Sequence, residues 1–60
     1  MKLWIARDKD GTLWIFDKKP CKYGDIWRVE NSYYSLSRIS NFLFPEIRWE
    51  DLEPTLFESK

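Results

Sequence analysis

Apolar residues fall on both sides of the first predicted hairpin. Residues 2–7 (KLWIAR) and 12–17 (TLWIFD) flank the polar segment 8–11 (DKDG), a pattern that predicts two antiparallel strands joined by a tight turn. Gly11 suits the positive-φ position of a bulged loop between them. The chain is therefore predicted to begin with a short β-hairpin.

The register of this hairpin separates its side chains into two chemically different faces. Ile5 is predicted opposite Ile15, and Trp4 opposite Phe16. The aliphatic face then consists of Leu3, Ile5, Leu13 and Ile15, and the aromatic face of Trp4, Ala6, Trp14 and Phe16. Because a strand in a small antiparallel sheet usually has one solvated side, we expect the aliphatic face to form the core and the aromatic face to contact a partner.

The remaining segments predict further strands and one ambiguous stretch. Residues 21–25 are expected to form a loop after Pro20, and residues 31–32 a turn. Strands are predicted at residues 26–30, 33–36, 46–50 and 55–58. Residues 37–44 have roughly helical spacing and are predicted as one or two helical turns ended by Pro45. The expected fold is mainly β: a small antiparallel sheet or barrel of four to six strands with at most one short helix.

The length limits how the chain can be stabilised. Residues 1–60 make a single domain, and a chain of this size buries only about 60% of its unfolded surface. Cys21 is the single cysteine and there is no histidine, so neither an intrachain disulfide nor a zinc site of the usual ligand sets is available. Four Trp, four Phe and three Tyr remain as the source of buried area. We expect some of these aromatic residues to lie at a binding surface, and we expect a homo-oligomer.

Charge and hydropathy argue against several classes of partner. Ten basic and ten acidic residues give a formal net charge of zero, so we expect no duplex nucleic acid as a partner. No apolar run approaches the roughly 18 residues of a membrane span, and we expect no signal peptide. The expected compartment is the cytoplasm, with no membrane partner.

The residue types of this chain give little support for catalytic activity or for metal binding. Without histidine, the Ser-His and Cys-His arrangements are excluded, and Cys21 is better explained as a small, partly buried residue. The segment from Asp8 fails the EF-hand pattern because Leu13 and Lys19 occupy the positions that need Gly and Glu. The chain is therefore expected to be no enzyme and to need no metal or cofactor.

Aromatic residues next to cations are the remaining constellation. Aromatic faces stack on bases, and arginine and lysine bind phosphates, which suits a nucleotide ligand. The same residue types anchor protein interfaces, and most of the tryptophans could also be core. The candidate ligand-binding residues are Trp4, Arg7, Lys9, Trp14, Trp27 and Arg28.

Two blocks of the sequence resemble a family of small proteins. The blocks WIARDKDG (residues 4–11) and LFPE-x-x-WED (residues 43–51), with further matches between and after them, are similar to proteins of about this length from gut Bacteroides-type bacteria and their phages. The resemblance implies a phage or mobile-element origin and transfers no catalytic residue. Small phage proteins without catalytic residues often act by binding, so the resemblance implies a protein that blocks a host defence protein or sequesters a nucleotide immune signal.

Two functions therefore remain open. The first is a phage-encoded anti-defence protein that sequesters a nucleotide-derived immune signal in pockets of a homo-oligomer. The second is a protein–protein interaction module that inhibits a host protein through its aromatic face.

Overall fold

Six short strands form two antiparallel sheets in the computed structural model, which describes residues 2–29 and 36–58. The strands are β1 (Lys2–Arg7), β2 (Leu13–Phe16), β3 (Cys21–Tyr23), β4 (Ile26–Arg28), β5 (Leu36–Ile39) and β6 (Thr55–Glu58). The main sheet has the order β5-β2-β1-β6, and β3 pairs with β4 in a separate two-stranded sheet. The predicted mainly β, antiparallel fold is confirmed, and the described residues contain no helix.

The first hairpin has the predicted register. Ile5 lies opposite Ile15, and Trp4 lies opposite Phe16. Gly11 has a φ of 95°, as the bulged turn requires, because a side chain there would be strained. The Oδ1 atom of Asp10 accepts the Thr12 N–H at 2.9 Å, an Asx-type bond that fixes the turn locally.

The aliphatic face is covered by residues 40–47, which we call the loop cover. Ile47 from this segment is buried against Ile5 and Leu13, and Phe44 packs beside them. These contacts make the aliphatic face one core of the protein, as predicted.

The aromatic face is also covered, so the prediction that a partner docks there is wrong. Trp27 of the β3–β4 hairpin, which we call the hairpin cover, is buried against Ala6 and Phe16. Trp4, Trp14, Val29 and Trp49 pack around this second cluster. A four-stranded sheet thus has an apolar core on each side, and the chain supplies both covers itself.

Three local predictions differ from the structure. Residues 37–39 belong to strand β5 rather than to the start of a helix, because they pair with β2. Residues 46–50 form turns rather than a strand, and Ile47 and Trp49 pack into opposite cores. Residues 21–23 form strand β3 rather than a loop, since Pro20 precedes the strand and removes no donor from its ladder.

The other predicted strands agree with the structure where it describes them. The strand at residues 55–58 is confirmed as β6, and the strand at residues 26–30 is confirmed over Ile26–Arg28. The predicted turn at residues 31–32 and most of the predicted strand at residues 33–36 lie outside the described residues.

Candidate functional site

Asp8 ties the hairpin cover to the main sheet. The residue is buried, and its Oδ1 atom accepts the backbone N–H of Trp27 at 2.9 Å. Its Oδ2 atom accepts the indole Nε1–H of Trp14 at 3.0 Å. Burial raises the pKa of Asp8 above its usual 3.8, although both hydrogen bonds act in the opposite direction. This carboxylate therefore serves the fold and is not free to bind a metal or a ligand.

Arg7 attaches the loop cover to the aliphatic face of the main sheet. Its guanidinium donates five hydrogen bonds to backbone carbonyls, with Nε 2.7 Å from the oxygen of Ile47. The other four acceptors are the carbonyl oxygens of Gly11, Asn41, Leu43 and Phe44, at 2.7 to 3.2 Å. An arginine side chain has five N–H donors, so none is left for a phosphate. The prediction that Arg7 binds a ligand is not supported.

Lys22 and two tryptophans form a stacked group at the side of the hairpin cover. The rings of Trp27 and Trp49 meet edge to face, with centroids 6.4 Å apart and an interplanar angle of 77°. The Lys22 Nζ atom lies 4.3 Å from the centroid of Trp49 and 5.3 Å from that of Trp27. A cation held over aromatic faces is attracted by their quadrupoles, so the lysine ammonium has a defined position.

A groove of about 300 Å³ opens beside this group. Its apolar lining comes from Pro20, Trp27 and Leu52, and its polar lining from Lys19, Cys21, Lys22 and Glu53. Leu52 is 90% exposed at its rim, whereas Trp27 is only 4% exposed. The groove therefore combines an apolar surface with two ammonium groups.

Two features of the groove bear on what it can bind. The Lys19 Nζ atom lies 3.6 Å from the Oε1 atom of Glu53, but both side chains are largely exposed, so this ion pair is weak. The Nε1 atom of Trp27 is buried and has no hydrogen-bond partner within the described part of the chain. A buried N–H without an acceptor costs roughly 1–3 kcal/mol, and an acceptor that reached it would recover this free energy.

The predicted site residues do not converge on one place. Trp27 lines the groove, whereas Trp4 and Trp14 are half-buried around the aromatic core. Lys9 pairs with Asp25, 3.8 Å from Nζ to Oδ1, and Arg28 lies over the Tyr23 ring at 4.8 Å. Of the six predicted residues, only Trp27 lines this groove.

Sequence reasoning missed most of the groove. Lys19 and Lys22 form a basic cluster near Pro20 in the sequence, a pattern that is typical of a solvated face. Leu52 and Glu53 come from more than 20 residues away in the chain, so only the tertiary fold brings them to the same place. The local pattern that could have indicated the groove is this basic cluster, which precedes an alternating strand that contains Trp27.

Metal and membrane chemistry gain no support from the described residues. Within residues 2–29 and 36–58, no three His, Cys, Asp or Glu side chains are grouped so that they could hold a metal ion. The same residues include no helix of the length and hydropathy needed to cross a membrane.

Comparisons with protein-family models, with curated proteins and with solved structures give no match to this chain. The resemblance to small Bacteroides and phage proteins therefore stays a prediction from the sequence.

Proposed function

We propose that this chain is a non-catalytic binding protein that holds a nucleotide-derived anion in the groove beside Trp27. The observation that carries the proposal is the placement of two lysine ammonium groups and an apolar wall around one groove of about 300 Å³. This volume lies at the lower end of the range for ligand pockets, about 300–1,000 Å³. It suits one base and its phosphate, with the rest of a larger ligand outside.

The contacts define a role for each side of the groove. Lys22 is held in position by the two tryptophan rings, so a phosphate can pair with an ammonium that is already placed. The exposed side chain of Leu52 offers apolar surface to a base, and the buried side chains of Pro20 and Trp27 line the same groove. The Nε1–H of Trp27, which has no acceptor among the described residues, is a donor for a ligand oxygen or ring nitrogen that reaches it.

The proposed biological role is sequestration of a nucleotide-derived immune signal in the cytoplasm of a bacterial host. The resemblance to phage proteins favours this role, because a phage benefits from removing such a signal without converting it. Each protomer carries its own groove, so sequestration can operate in a monomer or in a homo-oligomer.

Calorimetry and tryptophan fluorescence test the proposal directly. The folded protein is titrated with cyclic dinucleotides, ADP-ribose derivatives and mononucleotides, and we expect heat and a fluorescence change from at least one class. Lys22→Gln removes a charge-assisted phosphate contact and should weaken binding by about tenfold or more. The matched control is Lys18→Gln, which removes a neighbouring exposed charge outside the groove lining.

Two results would overturn this proposal. One is the absence of any heat or fluorescence change across the whole panel. The other is an equal loss of affinity in the Lys22 and Lys18 variants, which would indicate a general charge effect rather than the groove.

A second candidate function is docking onto a host protein, and the loop cover favours it. Phe42 is 92% exposed at the tip of this segment. Phe44, two residues later, has a φ of 50°, a strained conformation for an aromatic residue. Arg7 donates hydrogen bonds to three carbonyls of residues 41–44 and thereby fixes this backbone. A rigid loop that presents an aromatic side chain has the properties of an interface anchor.

The docking function predicts a partner whose binding depends on Phe42. A host protein captured by the wild-type chain is purified and titrated against Phe42→Ser and against Leu52→Ser, which removes a similarly exposed apolar side chain at the groove. We expect Phe42→Ser to reduce the affinity at least about tenfold, as for an interface anchor. Equal affinities for the two variants would contradict docking through the loop cover.

A further inference from the structure

Strand β6 lies at the edge of the main sheet. It pairs with β1 on one side, and the part of the chain that the structure describes places no strand on its other side. A free strand edge presents backbone N–H and C=O groups that can pair with another strand.

Apolar side chains reach this edge on both faces of the sheet. On one face, Leu3 lies opposite Phe57, and on the other, Trp4 lies opposite Leu56. The second row continues inward, because Trp4 also lies opposite Phe16. Leu56 and Phe57 are each 49% exposed, so both rows end in apolar surface that a further strand would bury.

Strand β6 has few of the features that usually prevent an edge strand from pairing with another chain. Natural edge strands are shielded by lysine, proline, bulges or inward-pointing charges. Pro54 precedes β6 and Glu58 ends it, whereas Thr55, Leu56 and Phe57 between them are uncharged. The middle of the strand is therefore open to a partner strand.

We propose that β6 pairs antiparallel with β6 of a second copy, which joins two four-stranded sheets into one continuous sheet. A two-fold axis perpendicular to the sheet keeps each residue on the same face in both copies, so partners across the axis differ by an even number of positions. Two registers meet this condition with an apolar pair at the axis, Leu56 against Leu56 or Phe57 against Phe57 of the partner subunit. Each extends one apolar row across the junction.

A second copy fits this edge better than an unrelated peptide for two reasons. In either register an apolar side chain meets its own counterpart at the axis, Leu56 in one and Phe57 in the other. The formal net charge of the chain is zero, so two copies approach without overall repulsion. The proposed dimer does not depend on the proposed ligand. The residues that line the groove lie outside β1 and β6, the strands at the proposed interface.

The size of the contact sets the expected strength. A four-residue edge buries less than the about 1,600 Å² of a standard stable interface, so we expect a dimer that forms with increasing protein concentration. Sedimentation equilibrium of the full chain measures its dissociation constant over a concentration series. A chain that stays monomeric up to the highest soluble concentration would overturn the proposal.

A charge at the edge tests the location of the interface. Phe57→Lys and Leu56→Lys each place an ammonium on one of the two rows, and we expect either to raise the dissociation constant at least about tenfold. The control Leu52→Lys places the same charge at a 90% exposed position outside β6 and should leave it unchanged. Circular dichroism melting identifies a variant that fails to fold, in which case the other edge variant decides. A dimer that survives in folded edge variants contradicts the proposal.

Cross-linking gives an independent measurement in folded, nearly native chains. In a Cys21→Ser background, Leu56→Cys and Phe57→Cys are oxidised separately. The residue at the two-fold axis should form an intermolecular disulfide, because directly opposed Cβ atoms approach to about 4.5 Å, the upper end of the range for a disulfide. Ser37→Cys, on the opposite edge strand β5, is the control and should remain reduced. Cross-linking at neither β6 position, or equally at the β5 position, would overturn the pairing.

Discussion

The carboxylate of Asp8 holds the backbone of Trp27 against the main sheet, with Oδ1 2.9 Å from the Trp27 nitrogen. This bond spans 19 residues and connects the turn after β1 to strand β4. A second link runs from the same turn to the turn between β3 and β4, where the carbonyl oxygen of Asp25 accepts the Lys9 N–H at 3.1 Å. The buried position of Trp27, and with it the floor of the groove, therefore depends on the turn of the first hairpin.

Removal of the Asp8 carboxylate should destabilise the protein. Asp8→Ala leaves the Trp27 N–H and the Trp14 Nε1–H without their acceptor, and a loss of about 2 kcal/mol is expected for such unpaired donors. Urea unfolding followed by tryptophan fluorescence measures the change. Asp17→Ala, at an exposed aspartate, is the control and should stay within about 0.5 kcal/mol of the wild type. Equal stability of the two variants would contradict the role assigned to Asp8.

Asp8 and Asp10 should titrate on opposite sides of the usual aspartate value. Burial raises the pKa of Asp8 above 3.8, whereas the hydrogen bond from the backbone of Thr12 lowers the pKa of Asp10 below it. Carboxyl carbon chemical shifts, followed by NMR as a function of pH, measure both midpoints in the folded protein. A midpoint for Asp8 at or below that of Asp10 would show that burial does not control its ionisation.

The raised pKa of Asp8 also fixes the sign of a stability change. The folded state binds the Asp8 proton more tightly than the unfolded state, so this contribution is full below 3.8 and is lost as pH rises through the raised pKa. Asp8→Asn does not titrate. The unfolding free energy of the wild type minus that of Asp8→Asn should therefore decrease with rising pH above 3.8 and then become constant. Urea titrations at several pH values measure it, and an increase with pH over this window would have the wrong sign.

Arg7 should be irreplaceable by lysine. A lysine ammonium has three donors on one atom and cannot reach five carbonyl oxygens that are arranged around a planar guanidinium. We expect Arg7→Lys to cost about 2 kcal/mol or more, because charge-assisted bonds are lost and carbonyls are left unpaired. Hydrogen exchange at the Ile47 amide, which donates to the Phe44 carbonyl, should also accelerate. Arg48→Lys at an exposed position is the control, and similar effects in both variants would argue against a special role for Arg7.

The two glycines should differ in what they tolerate. Gly11 has a φ of 95°, so Gly11→Ala is strained and should cost about 1–2 kcal/mol. Gly24 has a φ of 63°, within the left-handed region that asparagine visits, so Gly24→Asn should change the stability by less than about 1 kcal/mol. Among the described residues, apart from the two chain neighbours of each glycine, no atom lies within 4 Å of an added Cβ, so we expect backbone strain to decide both outcomes. Thermal melting of the two variants tests this, and a Gly11→Ala variant as stable as the wild type would contradict it.

The first hairpin could be predicted because its information is local. Alternation along each strand, together with a turn that needs Gly11, determines which residues lie opposite each other, and the predicted pairs are those observed. The strand at residues 55–58 was predicted for the same reason. Neither prediction required knowledge of distant residues.

The covers could not be predicted because their information is not local. Residues 40–51 form consecutive turns, which carry no periodic pattern, and Ile47 and Trp49 reach opposite faces of the sheet. Without these segments, an apolar hairpin surface resembles a docking site. Arg7 shows the same difficulty, since the donors that would bind a phosphate also bind backbone carbonyls, and only the folded chain distinguishes the two.

Two consecutive residues of opposite charge hold the two covers, with Arg7 bound to one and Asp8 to the other. Each cover is attached by its own polar residue, and the sheet between them separates the loop tip from the groove. The exposed positions of one cover can therefore change in evolution or by design while the attachment of the other stays intact. The fold therefore presents two separate variable surfaces, the loop tip and the groove, and two adjacent residues contribute to the attachment of both.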